Sequence, residues 1–369
     1  MKVVTVFGTR PELIKLSRII PALDKKFNHV LINTNQNSNY ELNRIFLKEL
    51  KIRNPDYNLK IKTTNHGIII SEIFKKIYPI LKKENPKAFI IYGDTNSCLA
   101  AIIAKNLQIP IFHMEAGNRS FDQRVPEEIN RKIIDHISDV NIVISENARH
   151  NLIREGIHPS MIIKTGSHMN EIFEFYKNKI DSSEVMIKLN LKKNSYFIVS
   201  VHRAETVDSK KSLLIINKTL SKIYEKFKLP ILISTHPRTQ EKLKKFKIFN
   251  KNKNIKFLKP FGFFDYTKLQ QNAHCVISDS GSLFEESALL NFPAISIRKS
   301  QERMEGMEGT DIILSGLESE NILNSIMFVK NKKVTNLVSD YYGGLVSNKL
   351  IKIILSYFHK VNEEIWHKR

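Results

Sequence analysis

The stretch His113–Arg131, HMEAGNRSFDQRVPEEINR, decides how this chain is read. Four carboxylates (Glu115, Asp122, Glu127, Glu128) and three guanidiniums (Arg119, Arg124, Arg131) stand in a loop-like segment directly after an apolar run. Ile109–Phe112 reads as a short buried strand, Gly117 and Asn118 break it, and Pro126 opens a helix with Glu127 and Glu128 in its first turn. Acids there stabilise a helix N-terminus, so that pair has a structural reading beside a chemical one. Glu115 is harder to assign that way, because it leaves an apolar strand at its carboxyl end, where open α/β sheets place their ligands.

Outward from this segment, apolar runs alternate with amphipathic helices. Val3–Phe7, Val30–Asn33, Phe89–Tyr92, Ile109–Phe112 and Val140–Ile144 form one series; Tyr196–Val201, Ile231–Ser234, Ile255–Leu258, Cys275–Ser278 and Ala294–Ile297 form a second. The alternation predicts α/β architecture: two Rossmann-like, doubly wound parallel-sheet domains facing a cleft. The expected division is 1–170 and 171–348, broken near Gly166–Ser183, with the closing helix 349–369 returning to the first domain.

Each strand exit carries a chemically useful turn. Gly8-Thr9-Arg10-Pro11-Glu12 is a tight turn into a helix whose free N–H groups suit an anion, with Arg10 and Lys15 as cations. Tyr92-Gly93-Asp94-Thr95 sets an acid beside capping residues, equally able to cap or to react. His202-Arg203 and His236-Pro237-Arg238 follow strands, and Ser278-Asp279-Ser280-Gly281-Ser282 enters a helix carrying Glu286. Turns into helices use Gly, Ser and Asp for structural reasons as well, so only the set has weight. G-x-G-x-x-G and the P-loop pattern do not occur, which removes nicotinamide and P-loop readings.

With 369 residues, 42% hydrophobic and 26% charged, the composition is that of a globular protein of two cores. No apolar run reaches a membrane span, and Met1 leads straight into KVVTVF, so the expected location is the cytoplasm. Cys98 and Cys275 read as reduced core residues, and the histidines lack metal-ligand spacing; no metal and no cofactor is expected. The net charge of +21 raises a nucleic-acid reading. Its lysines are scattered through amphipathic helices without interleaved stacking aromatics, so no nucleic-acid partner is expected.

As an ordered set, GTRPELIKL, YGDTNS, HMEAGNRSFDQRVPEEINR, VSVHRAE, STHPRT, SDSGSLFEES and ERMEG resemble the non-hydrolysing UDP-N-acetylglucosamine 2-epimerase family over nearly the whole chain. The resemblance implies a glycosyltransferase-B-like fold, a UDP-sugar substrate and a homodimer. It assigns Asp94, Glu115, Glu127 and His202 as catalytic, with Arg131 as a supporting cation. Nucleotide contacts fall on Arg10, Lys15, Ser280, Gly281, Ser282, Glu286 and Arg303, and Tyr266 matches the aromatic beside uracil. HMEAGNR followed by FDQRVPEEINRK is similar to the branch that forms UDP-N-acetyl-L-fucosamine from UDP-2-acetamido-2,6-dideoxy-L-talose. Alternatives are the UDP-N-acetylglucosamine/UDP-N-acetylmannosamine pair, a hydrolysing 2-epimerase, a retaining glycosyltransferase and, outside enzymology, a basic nucleic-acid-binding protein. Three departures stand out: Thr34-Asn35-Gln36-Asn37 where the family has T-G-Q-H, Ser282 in place of a third-position glycine, and Met304 in place of the proline of ERPE.

Overall fold

A computed structural model describes residues 1–35, 46–61, 63, 65–330 and 337–368. Gln36 and Asn37, within the first of these departures, lie outside the described residues. The chain divides into two compact units, Met1–Glu174 with Asp340–Arg369, and Phe175–Ser339. The helix His168–Asp181 carries the chain from one to the other.

The first unit holds β1 (Lys2–Phe7), β2 (Asn28–Asn33), β3 (Tyr57–Asn58), β4 (Ala88–Tyr92), β5 (Ile111–Met114), β6 (Val140–Val143) and β7 (Ile162–Lys164). Their order across the sheet is β3-β2-β1-β4-β5-β6-β7, parallel throughout. The second unit holds β8 (Phe197–Ser200), β9 (Ile231–Ser234), β10 (Ile255–Leu258), β11 (Cys275–Ser278), β12 (Ala294–Ser296) and β13 (Ile313–Leu314), ordered β10-β9-β8-β11-β12-β13. Both are doubly wound Rossmann-like sheets. In each, the order reverses at one place, between β1 and β4 or between β8 and β11, and such switch points are where open parallel sheets leave a crevice at the strand exits.

Burial on both faces explains the near-continuous apolar strands. Phe197, Val199, Cys275 and Ile277 enter one core cluster, while Tyr196, Ile198 and Val276 enter another, so alternate residues feed opposite faces. Truncating a residue such as Ile277, 3% exposed, to Ala is expected to cost about 2–5 kcal/mol. The terminal helix Val346–Lys360 packs on the helix Ile19–Lys26 of the first unit, and Ser347 donates to Glu171 through both its N–H and its hydroxyl.

One strand differs from its reading in a way that matters. β5 runs from Ile111 to Met114, two residues later than Ile109–Phe112. Gln108 sits in the left-handed region (φ 52), and Pro110 has no N–H for a ladder, although its carbonyl accepts from Phe89. The strand therefore includes His113 and ends directly at Glu115. β3, β7 and β13 are two or three residues long, too short to show a pattern in sequence.

Both cysteines are buried free thiols. Among the described residues no helix is long and apolar enough to cross a membrane, and no cluster of His, Cys, Asp and Glu could hold a metal ion.

Candidate functional site

The first unit gathers its acids at the exits of β1, β4 and β5. At the β1 exit the backbone closes on itself: a Cβ at Gly8 would lie 2.0 Å from Ser97 Oγ and 2.2 Å from Thr34 Oγ1, so only glycine fits. Two of the N–H groups of this turn are taken by a side chain of the same turn. Gly8 N (2.9 Å) and Thr9 N (2.7 Å) both donate to Glu12 Oε2, making a capping box that uses the donors internally. Thr95 donates to Glu12 Oε1 at 2.7 Å, so one buried carboxylate ties the β1 exit to the β4 exit. Burial pushes the Glu12 carboxyl above its ordinary range despite these bonds. Of the cations placed here, Arg10 lies over the Phe46 ring at 5.1 Å, while Lys15 turns to the acids.

Lys15 Nζ lies 2.7 Å from Glu115 Oε2, and both side chains are nearly buried. Glu115 has φ +66, a left-handed conformation that a non-glycine residue adopts at a cost of about 1–2 kcal/mol. Its carboxylate sits against the β4 exit, since a Cβ built on Gly93 would be 3.9 Å from Glu115 Oε2. The next residue, Asp94, receives Arg131 through Nε (3.0 Å) and Nη2 (2.6 Å). Arg131 Nη1 also meets Glu128 Oε2 at 3.0 Å. The structure therefore brings Asp94, Glu115, Lys15 and Arg131 together across two adjoining strand exits.

The paired acids of the helix Pro126–Ile137 divide their work. Glu128 is fully buried and accepts from Ser120 N, Ser120 Oγ and Phe121 N, folding the loop before the helix. Glu127 is half-buried beside it. In the sequence the two stand as an undivided pair, and only the fold separates Glu128 as the loop's anchor. Its position one turn before Arg131 was the available signal.

In the second unit the hub is Asp279, quoted in the β11 turn but not counted among the site residues. Its carboxylate accepts from His202 N (3.1 Å) and Arg203 N (3.0 Å) and lies 3.1 Å from His202 Nδ1, while its carbonyl accepts from Arg203 Nε. Burial alone would raise this carboxyl, but His202 and the two backbone donors outweigh it and hold it below the ordinary carboxylate range. The β8 and β11 exits are thus locked together, as Glu12 locks those of β1 and β4.

Within the β11 turn, Ser282 lies in the ordinary right-handed region (φ −77), which any residue adopts, so the loss of a glycine leaves no strain. Its Oγ donates to Glu286 Oε1 at 2.7 Å and touches Ser280 Oγ at 2.9 Å. Gln270 holds the other Glu286 oxygen at 2.6 Å. Tyr266 is half-buried and packs on the core cluster containing Leu269. Met304 opens the helix Met304–Gly309 at the position that proline favours.

Arg303 is 1% exposed and meets Glu285 at 2.9 Å, so its charge is neutralised within the unit. A second arginine, missed in the sequence, stands at the turn. Arg298 is 7% exposed, pairs with Glu302 at 2.7 Å, and its Nη1 makes no hydrogen bond among the described residues. A Cβ on Gly281 would lie 3.4 Å from Arg298 Nη1, 3.4 Å from Arg203 Nη2 and 2.5 Å from Glu302 Oε1. Gly281 therefore allows two cations and their shared acid to approach the backbone.

Comparison with known proteins agrees with this layout. The model of the UDP-N-acetylglucosamine 2-epimerase family matches residues 22–355. The solved structure of UDP-N-acetylglucosamine 2-epimerase from Rickettsia bellii is 45% identical with a TM-score of 0.91, covering 100% of both chains. The Methanocaldococcus jannaschii UDP-GlcNAc 2-epimerase, solved in complex with UDP-GlcNAc and UDP, is 36% identical with a TM-score of 0.91, covering 96% of this chain and 100% of that one. A Pseudomonas aeruginosa UDP-2,3-diacetamido-2,3-dideoxy-D-glucuronate 2-epimerase is 29% identical over 96% of this chain and 99% of its own length.

Proposed function

Because this chain belongs to the UDP-N-acetylglucosamine 2-epimerase family, we propose that it inverts C2 of a UDP-2-acetamido sugar without hydrolysing it. The observation that supports this most is the meeting of two acids from separate strand exits, Asp94 and Glu115, each held by its own cation. Inversion needs a proton removed from one face of C2 and one delivered to the other, and two separately anchored carboxylates meet that need. The C2–H proton passes to one carboxylate while the C1–O bond breaks and its electrons leave with UDP, giving a 2-acetamidoglycal. UDP then adds back at C1 as a proton reaches C2 from the opposite face.

Breaking C1–O places negative charge on the departing diphosphate. His202, Ser280, Gly281 and Ser282, with Arg298 beside them, are the donors and cation we assign to it; Glu286 is the acceptor for a ribose hydroxyl. Tyr266 is assigned to the base and Arg303 to shaping the turn through Glu285. Glu127, beside Glu128 at the start of its helix, is the third acid–base candidate. Arg10 and Lys15 complete the set, Lys15 holding the Glu115 carboxylate in place by direct contact.

The finer assignment is to UDP-2-acetamido-2,6-dideoxy-L-talose, supported by the sequence of the His113–Arg131 segment. The second reading is the UDP-N-acetylglucosamine/UDP-N-acetylmannosamine pair, supported by the names of the relatives at 36–45% identity. Parallel incubations with the L-talo and D-gluco UDP-sugars, followed by NMR, separate them by relative kcat/KM. Stoichiometric release of UDP with free sugar contradicts the non-hydrolysing reading, and turnover of neither contradicts the whole assignment.

A further inference from the structure

His113 opens the segment that carries Glu115 and the loop beyond it. It is fully buried near the end of β5, two residues before Glu115. Its Nε2 lies 2.9 Å from the carbonyl oxygen of Gly93, the residue before Asp94. A carbonyl can only accept, so Nε2 carries the hydrogen and the ring donates across from one strand exit to the other. On the far side Nδ1 lies 2.9 Å from Asp135 Oδ1, without a straight hydrogen bond.

Asp135 is fully buried and grips the segment again beyond Glu115. Its carboxylate accepts from Gly117 N at 3.2 Å and from Arg119 Nη1 at 2.6 Å. Arg119 is anchored in turn by Glu155 at 2.5 Å. Burial would raise the Asp135 carboxyl, but His113 and Arg119 outweigh it and keep it below the ordinary range. Glu115 thus stands between two residues, His113 and Gly117, that meet the same carboxylate, and its left-handed backbone is over-determined from both sides. Gly93 N in turn donates to Met114 O at 2.9 Å, closing a ring between the two exits.

We propose that His113 is a positioning residue: by holding the Gly93 carbonyl it fixes the spacing between Asp94 and Glu115, with Asp135 fixing His113. It touches no substrate and acts through those two acids. The inference rests on the proposed epimerisation for its kinetic consequence, but its structural consequence stands apart from any substrate.

Two substitutions separate the ring's contacts. His113→Gln keeps an amide donor at the bond distance of Nε2, whereas His113→Asn keeps one only at that of Nδ1, facing Asp135. In crystal structures, His113→Asn is expected to release the Gly93 carbonyl and move Asp94 relative to Glu115 by about 1 Å; His113→Gln leaves them in place. Such a displacement lowers kcat on the order of 10²-fold. KM stays within a few-fold, and the ratio of free UDP released to product epimerised rises, a readout independent of the folded fraction. His113→Gln retains kcat within a few-fold. Asp94 and Glu115 unmoved in His113→Asn, or equal kcat losses in both variants, would overturn the proposal. Should His113→Asn not fold, ¹⁵N NMR of the unmodified protein decides: a protonated Nε2 on His113 is expected, and an unprotonated one refutes the bond. If the wild-type chain exchanges no C2 proton with either UDP-sugar, the functional reading fails, while the structural comparison still judges His113.

Discussion

Replacing Arg131 with Met removes one cation from two carboxylates while keeping most of its apolar stem. The Arg131 side chain is 5% exposed, Glu128 is 0% exposed and Asp94 is 28% exposed. Removing one partner from a fully buried pair costs about 3–5 kcal/mol. Water reaches Asp94 and takes up part of that loss, and Glu128 keeps its donors from Ser120 and Phe121. A net loss of about 2–3 kcal/mol follows, which lowers Tm by roughly 4–12 °C for a unit of this size. Circular dichroism during thermal and urea unfolding measures it. Epimerisation falls further than stability, because Asp94 loses the fork of Nε and Nη2 that orients it. Arg131→Lys restores charge without the fork, so it recovers part of the stability and little of kcat. Unfolding unchanged in Arg131→Met, or Lys restoring both quantities in full, refutes the role given to this arginine.

Gly281→Ala places a methyl 2.5 Å from Glu302 Oε1 and is expected to weaken UDP binding at least tenfold in calorimetry with little change in the second unit's helix content. Arg298→Met, which leaves Glu302 without its 2.7 Å partner, is expected to raise Kd for UDP about tenfold and to flatten its salt dependence; an unchanged Kd removes Arg298 from the site. Because the Asp279 carboxyl is held below its ordinary range, its contribution to stability is full above about pH 4 and is lost as pH falls through its folded-state value. Asp279→Asn should therefore be less stable than the parent at pH 7 in urea unfolding, with the difference narrowing on acidification below pH 4. A gap that stays constant with pH contradicts this. Burial raises the thiol of Cys98, with Asp94 and Glu12 adding to it, and raises that of Cys275. Neither is expected to react with a thiol reagent at pH 8 until the protein is unfolded.

The doubly wound sheets were legible because strands buried on both faces are written as apolar runs, and nearly all such runs in the chain became strands. β5 was misplaced by two residues because Ile109 and Pro110 continue the apolar run while the backbone at Gln108 and Pro110 prevents pairing from starting there. Strand-exit acids were legible for the same reason as the strands. Their partners were less so. Lys15 read as a phosphate cation, and its contact with Glu115, 100 positions away, is a pairing that only the β1-β4-β5 order creates. Glu12 read as part of an anion-binding turn, and it also accepts from two of that turn's donors, Gly8 N and Thr9 N. Asp279, Arg298 and the His113–Gly93 contact were missed because each acts on a neighbouring strand exit, and sequence spacing carries no record of which exits adjoin.

Under the proposed mechanism C2 exchanges its proton with acids of the protein while the C1–O bond to UDP is broken. Incubation of the purified chain with its UDP-sugar in heavy water, followed by ¹H NMR of the product, tests it directly. One solvent deuterium at C2 of the epimerised sugar is the predicted result; epimerised product that retains its original hydrogen at C2 contradicts the account.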